Sequence, residues 1–155
     1  MILAAIDIGS NAVRLLITEV TTYKDGTVDY TKLNLLRIPL RLGFDVFENG
    51  FISAEKVTMM IDTMKTYQLL MKIYKVQAVK ACATSAMRDA TNGPDIVKSI
   101  KQQTGIDIRI ISGGEEANVI YETHIAENMK SDEHYLYIDV GGGSTELTMF
   151  GDNQN

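Results

Sequence analysis

The stretch Ile6-Asp7-Ile8-Gly9-Ser10-Asn11 decides the fold prediction, because it joins a short apolar run to an aspartate and a glycine-containing turn. The same pattern returns as Ile138-Asp139-Val140-Gly141-Gly142-Gly143-Ser144, again between two apolar runs. In both copies, β-rich residues flank the turn, which predicts a strand, a turn and a second strand. The two copies lie a lobe's length apart, so we interpret them as an internal repeat that begins two similar lobes.

Helices and strands alternate in the sequence between the two copies. After the first hairpin (3–8 and 13–20), hydrophobic spacing predicts strands at 27–38, 76–83, 106–111, 135–140 and 145–150, and helices at 53–72, 94–103 and 115–128. Three leading strands followed by alternation predict an α/β fold, a mixed sheet covered by helices. We expect residues 1–126 to form one lobe, and residues 127–155 a linker and the first hairpin of a truncated second lobe.

The composition excludes several classes of protein. The chain has 155 residues, 45% apolar and 23% charged, as in ordinary globular proteins. No apolar run approaches the ~20 residues that span a bilayer, and the apolar start at residues 1–6 lacks the basic flank and cleavage pattern of a signal peptide. With a lone cysteine, Cys82, we expect a cytoplasmic protein with a reduced thiol and no membrane partner.

The charge pattern limits the partners. Asp and Glu number 20 against 15 Lys and Arg, a net charge of −5, and the basic residues are scattered singly. No basic stripe is present to follow a nucleic-acid backbone, so we expect no nucleic-acid partner. A polyanionic ligand would have to be held locally, by backbone N–H groups, a few arginines or a divalent cation.

The glycine-containing turns can supply such local binding. Glycine adopts positive φ without a Cβ penalty, so successive backbone N–H groups can converge on a phosphate. Ser10, Asn11, Ser144 and Thr145 would add side-chain donors, and the aspartates at the strand ends are natural Mg²⁺ ligands. A single such turn is usually an ordinary hairpin, but the repetition of the whole unit favours a binding role.

Two further segments carry candidate functional side chains. In 111–117 a strand ends, two glycines turn the chain and a helix begins at Glu115 and Glu116. The structural alternative is that the helix macrodipole stabilises both carboxylates, although only one of two adjacent residues can face a cleft. In 84–92 Thr84 can cap a short helix that carries Arg88, either as an ion-paired surface residue or as a phosphate clamp.

Four segments together, 5–11, 84–92, 111–117 and 138–147, resemble in this order the exopolyphosphatase/guanosine pentaphosphate phosphatase (Ppx/GppA) family. The resemblance implies an actin-like, ribonuclease H-like fold, with helices on both faces of the sheet and two lobes that flank a cleft. It also implies Mg²⁺ as the cofactor, and it is compatible with a homodimer of the full-length protein.

The resemblance also assigns roles to residues. It implies that Glu116 is catalytic and that Arg88 contacts substrate phosphate. The implied phosphate-binding loops are Gly9, Ser10 and Asn11, and Gly141, Gly142, Gly143, Ser144 and Thr145. The implied Mg²⁺-associated carboxylates are Asp7, Asp139 and Glu146.

The function that these expectations favour is hydrolysis of a terminal phosphoryl group from inorganic polyphosphate or guanosine pentaphosphate. One alternative is an ATP-binding enzyme of the actin and sugar-kinase type, which would leave segment 111–117 unexplained. Another is a non-catalytic module that binds guanosine tetra- or pentaphosphate. We expect the 155-residue chain to be inactive without the rest of a second lobe.

Overall fold

The computed structural model describes residues 1–120, 134–140 and 145–150, in which strands alternate with helices. The strands are β1 Ile2–Ile8, β2 Val13–Thr22, β3 Val28–Ile38, β4 Ala78–Ala83, β5 Ile108–Ile110, β6 Tyr135–Val140 and β7 Thr145–Phe150. The helices are α1 Leu42–Asn49, α2 Ala54–Ile73, α3 Ser85–Asp89, α4 Gly93–Thr104 and α5 Gly113–Ile120. The turn 141–144, the predicted helix beyond residue 120 and the predicted linker up to residue 133 lie outside the described residues.

Five strands form one mixed sheet in the order β3-β2-β1-β4-β5. The leading three strands pair antiparallel, whereas β4 lies parallel to both β1 and β5. Strands β6 and β7 form a separate antiparallel pair. The predicted mixed sheet and both predicted hairpins are therefore confirmed at the level of strand pairing.

The core lies against one face of this sheet. Side chains alternate along β1, so Ala4, Ile6 and Ile8 are buried while Asp7 between them is partly exposed. Met60, Met64 and Met71 of α2 pack on this buried face, and buried residues of α4 belong to the same core. Burial of this face fixes the register of β1, since a one-residue slip would bring Asp7 into the core.

The parallel register places three chain segments at one end of the sheet. Ile8 at the end of β1 pairs with Ala83 at the end of β4, and Ala83 pairs with Ile110 at the end of β5. We call this end the carboxyl edge. The segments that follow these strands carry three of the four sequence motifs, and the carboxyl ends of strands are where open α/β sheets bind ligands.

Helix α1 is a difference from the sequence prediction, which has no element between residues 39 and 52. Only Leu42, Gly43 and Val46 of this eight-residue helix are buried, so its hydrophobic pattern is too short to stand out. The sequence does contain a signal for the end of this helix, namely Gly50. In the structure Gly50 takes the left-handed conformation that commonly ends a helix.

Tyr67 connects α2 to the sheet and provides a test of this packing. Its buried hydroxyl donates to the Val13 carbonyl at 3.0 Å, and burial raises the pKa of Tyr67 to about 12. Replacing Tyr67 with phenylalanine leaves a buried carbonyl without its side-chain donor, so we expect a loss of ~1–2 kcal/mol in the free energy of unfolding. Urea unfolding measures it; the exposed Tyr30 is the matched control, and an equal loss in Tyr30→Phe would contradict the assignment.

Candidate active site at the carboxyl edge

The first turn, residues 9–11, directly follows β1 at the carboxyl edge. Its Gly9 N–H donates to the Ala12 carbonyl at 3.1 Å, which closes the turn. Within the described part of the chain, the N–H groups of Ser10 and Asn11 make no hydrogen bond. Two adjacent backbone donors are therefore available to a ligand, as a phosphate-binding turn requires.

Contacts with the α1 segment hold the other side of the first turn. The Ser10 carbonyl accepts the Gly43 N–H, and the Asn11 carbonyl accepts the Arg41 N–H, both at 2.8 Å. A Cβ on Gly43 would lie 3.1 Å from the Ser10 Cβ, so this approach is close. The carbonyl oxygens of Ser10 and Asn11 are thus occupied within the fold, whereas their N–H groups remain for a ligand.

Ser10 links the first turn to helix α3. Its buried hydroxyl lies 2.8 Å from that of Ser85, in the first residue of α3. The Thr84 N–H donates to the Ile8 carbonyl, which ties the same two segments through the backbone. Because its hydroxyl is engaged inside the fold, the predicted contact of Ser10 with phosphate would come from its N–H group.

Arg88 and Glu116, which lie in different motifs, are brought together. Arg88 Nη1 donates to the Ile111 carbonyl at 3.0 Å and lies 3.8 Å from Glu116 Oε2. The two side chains are 31% and 21% exposed, so the pair borders solvent without being immersed in it. Arg88 also follows Ser85 by three residues, so the two lie on the same side of the short helix α3. The contact is an ion pair, and the role of Arg88 in phosphate binding stays a prediction.

The two adjacent glutamates, Glu115 and Glu116, make different contacts. Glu115 accepts hydrogen bonds from the N–H and hydroxyl of Ser112, while the Ser112 hydroxyl accepts the Glu115 N–H, a capping box at the start of α5. These bonds, with Arg109 at 3.3 Å, hold the pKa of Glu115 below its usual value. Glu115 stabilises the helix start, whereas Glu116 faces Arg88, and the catalytic role of Glu116 stays a prediction.

The carboxylates predicted to hold Mg²⁺ are distributed over two sheets. Asp7 accepts a hydrogen bond from Arg14 at 2.7 Å, with both side chains about half exposed. Asp139 and Glu146 are direct partners in the register of β6 and β7. Among the side chains that the structure describes, no three potential metal ligands cluster. The predicted second loop, Gly141 to Ser144, lies outside the described residues, and Thr145 begins β7.

The sequence did not reveal three residues that contact or support the first turn: Arg41, Gly43 and Ser85. Gly43 and Arg41 belong to a helix and a turn that the pattern does not predict. Ser85 adjoins Thr84 in a recognised motif, but nothing in the sequence pairs it with Ser10. A basic residue followed two positions later by a glycine, shortly after the third strand, is the one local signal that could have directed attention there.

The start of α1 is fastened to the start of α2 by Asp45, which accepts the Ser53 N–H at 2.9 Å and pairs with Lys56 at 2.6 Å. Burial alone would raise the pKa of Asp45, but the hydrogen bonds from Lys56 and Ser53 outweigh it and lower the pKa to about 2. The ionised form is therefore favoured by folding, and its contribution is present above pH ~4 and lost as the pH falls towards 2.

We expect Asp45→Asn to lower the free energy of unfolding by ~1–2 kcal/mol at pH 7, with the difference from wild type shrinking steadily below pH ~4. Urea unfolding at pH 7 and pH 3 measures this change. Asp62→Asn is the control, because its partner Lys65 lies 3.6 Å away and both side chains are exposed. A deficit in Asp45→Asn that did not depend on pH would contradict the ion-pair explanation.

The sequence of this chain is similar to those of known phosphatases. A model of the Ppx/GppA phosphatase family matches residues 20–155. The chain is 33% identical over 149 residues to a bifunctional 3-dehydroquinate synthase/phosphatase of Fusobacterium nucleatum, covering 94% of this chain and 22% of that protein. It is 30% identical over 144 residues to a guanosine-5'-triphosphate,3'-diphosphate pyrophosphatase of Vibrio atlanticus, covering 93% and 28%.

A solved structure with a related name is also similar to this chain. An exopolyphosphatase from Cytophaga hutchinsonii superposes with a TM-score of 0.82 at 29% identity, covering 99% of this chain and 48% of that one. The chain thus spans about a quarter of the curated relatives and about half of the solved one. No helix in the described ranges is long and apolar enough to cross a bilayer. The predicted actin-like, ribonuclease H-like fold is confirmed, and the chain belongs to the Ppx/GppA phosphatase family.

Proposed function

We propose that this protein is a phosphohydrolase that releases the terminal phosphate of inorganic polyphosphate, guanosine pentaphosphate or both. The observation that carries the proposal is the approach of Arg88 and Glu116 to 3.8 Å at the same edge of the sheet as a turn with two available N–H groups. Relatives support it by name, since one is an exopolyphosphatase and another a guanosine-5'-triphosphate,3'-diphosphate pyrophosphatase. Because the chain spans only part of these relatives, activity of the whole protein belongs to the proposal.

The first turn and Arg88 would bind the phosphate at the end of the chain. The N–H groups of Ser10 and Asn11 donate to its oxygens without adding formal charge, and the Arg88 guanidinium matches the phosphate with its planar fork. These donors keep their positions because the turn is bonded to α1 and α3. Fixed donors stabilise the charge that develops in the transition state better than mobile water does.

Glu116 would act on the attacking water. Its carboxylate takes the proton as the water oxygen bonds to the terminal phosphorus, in line with the bond to the bridging oxygen. That bond breaks, and its electron pair leaves with the shortened chain. Arg88, next to Glu116, keeps the carboxylate oriented in the resting enzyme. Products are inorganic phosphate and a chain shorter by one phosphate, with no covalent enzyme intermediate.

Mg²⁺ fits the donor chemistry of the remaining acidic residues. Asp7 is a half-exposed carboxylate at the carboxyl edge, and Asp139 and Glu146 are paired in the hairpin register. Carboxylate oxygens are the ligands that Mg²⁺ prefers, so these three residues would hold the ion. When bound, Mg²⁺ would neutralise charge on the phosphate chain.

The division at about residue 126 and the assignment of 127–155 to a second lobe remain part of the proposal. So do a cytoplasmic location, which the lone Cys82 favours, and a homodimer of the full-length protein.

Phosphate release by the full-length gene product tests the proposal, with polyphosphate, guanosine pentaphosphate and ATP compared with and without Mg²⁺. We expect release from at least one of the first two that needs Mg²⁺ and exceeds release from ATP. Faster turnover of ATP would favour a kinase-like or ATPase function. Tight binding of guanosine tetra- or pentaphosphate without release would favour a binding module. Either result contradicts the proposed hydrolase.

A further inference from the structure

Arg41 has an unusual backbone conformation. Its φ of 53° and ψ of 47° lie in the left-handed region, which non-glycine residues seldom adopt. Arg41 also occupies the N-cap position of α1, where an extended backbone and a short polar side chain are the common choice, and no side-chain cap forms. Two local preferences are violated at one residue, and such strain clusters at functional sites.

The backbone of Arg41 is held on both sides. Its N–H donates to the Asn11 carbonyl at 2.8 Å, and its own carbonyl accepts the Lys56 ammonium at 2.6 Å. These bonds impose the left-handed conformation and fix the residue against the first turn. Since the arginine side chain is long and flexible, it can extend from this point towards a phosphate bound at the first turn.

The charge of Arg41 is not neutralised within the described residues. Its side chain is exposed and forms no ion pair there, while the neighbouring carboxylate of Asp45 is paired with Lys56. By contrast, Arg88 is already paired with Glu116. In a protein with a net charge of −5, an uncompensated guanidinium on a residue whose backbone is bonded to the first turn is suited to an anion.

Lys75 shows why this conformation calls for an explanation at Arg41. Lys75 is the other non-glycine residue with positive φ among the described residues, at 57°. It directly follows the C-cap Tyr74 of α2, where the left-handed conformation is the usual way for a helix to end. Its strain is therefore accounted for by helix termination, and no such reason applies at the start of α1.

From these observations, we propose that Arg41 is a second anion-binding arginine, which contacts an internal phosphate of the polyphosphate-type chain while Arg88 contacts the terminal one. The assignment rests on the proposed function for its substrate class. Arg88 lies on α3 beside Glu116, whereas Arg41 lies at the start of α1, across the first turn. Arg41 would therefore add to substrate binding equally in the ground and transition states, and would not take part in the chemical step.

The test is Arg41→Gly in the full-length gene product, with inorganic tripolyphosphate binding measured by calorimetry and phosphate release measured in parallel. Loss of a charge-assisted contact is expected to weaken binding ~10–100-fold and to raise KM with kcat nearly unchanged. Because glycine suits positive φ, the melting temperature should stay equal or rise. Arg41→Lys should restore part of the binding, since it keeps the charge.

Lys75→Gly is the matched control, because it also replaces a basic left-handed residue by glycine. It lies beyond the far end of α2 from Lys56, ~25–30 Å away along the helix, and should leave binding unchanged. Equal binding by Arg41→Gly and wild type would overturn the inference, as would a loss of binding that Lys75→Gly shared. If tripolyphosphate bound through Arg41 but no phosphate were released, the result would contradict the proposed hydrolase function and would still support the anion-binding role of Arg41.

Discussion

Replacing Glu116 with glutamine is expected to lower phosphate release by the full-length gene product ~10²–10⁴-fold, the usual contribution of a general base. Glutamine keeps the size of the side chain but cannot accept the proton of the attacking water. Substrate binding should change little, because the N–H groups of the first turn and Arg88 remain. The effect should therefore fall on kcat and leave KM nearly unaltered.

Glu115→Gln is the matched control for this variant. The two glutamates are adjacent, but Glu115 bonds to Ser112 and Arg109, whereas Glu116 faces Arg88. Glutamine can still complete a capping box with Ser112, so the helix start should survive the change. Turnover by Glu115→Gln is expected to remain within a few fold of wild type. Normal turnover by Glu116→Gln, or equal losses in both variants, would refute the assigned base.

Gly93→Ala is expected to cause the largest loss of stability among alanine substitutions of the glycines that the structure describes. A Cβ at this buried position would clash with the Met87 carbonyl oxygen, which belongs to the backbone of α3. Alanine favours a helix over glycine by ~1 kcal/mol, but relieving such a clash costs ~3 kcal/mol. The net loss should be ~2 kcal/mol in the free energy of unfolding. Since Arg88 follows Met87, displacement of α3 should also reduce turnover.

Gly114→Ala provides the opposite expectation for the same substitution. A Cβ on Gly114, near the start of α5, would meet no atom within 4 Å. Its stability should be unchanged or raised by up to ~1 kcal/mol. Urea unfolding of both variants, with hydrogen exchange of the α3 amides, measures the contrast. If Gly93→Ala were as stable as wild type, the close packing of α4 on α3 would be incorrectly described.

The order of strands along the chain and the location of the motifs could be predicted from the sequence, because both depend on local patterns. Alternation in residues 3–8 and 13–20 and the glycine turn between them predict a hairpin, and β1 and β2 pair as expected. Each motif directly follows a strand. When those strands are parallel, the motifs are expected to lie at the same edge of the sheet. Because Glu115 and Glu116 are adjacent, the sequence predicts that they face different directions. It does not show which of the two faces Arg88.

The remaining features depend on contacts between distant parts of the chain. The eight residues of α1 carry a weak pattern, and the helix is held by bonds to Ser10 and by the ion pair from Asp45 to Lys56. The left-handed conformation of Arg41 is imposed by Asn11 and Lys56, neither of which is its sequence neighbour. The local propensity of arginine disfavours the left-handed conformation, and tertiary hydrogen bonds override that propensity. The conformation therefore cannot be predicted from the residue type alone.

The most direct measurement is a crystal structure of the Glu116→Gln gene product bound to tripolyphosphate. The slow variant should trap its substrate with an end phosphate ~3 Å from the N–H groups of Ser10 and Asn11, and with Arg88 and Gln at position 116 beside the terminal phosphorus. A phosphate chain seated elsewhere, with only water on the first turn, would contradict a site assembled at this edge of the sheet.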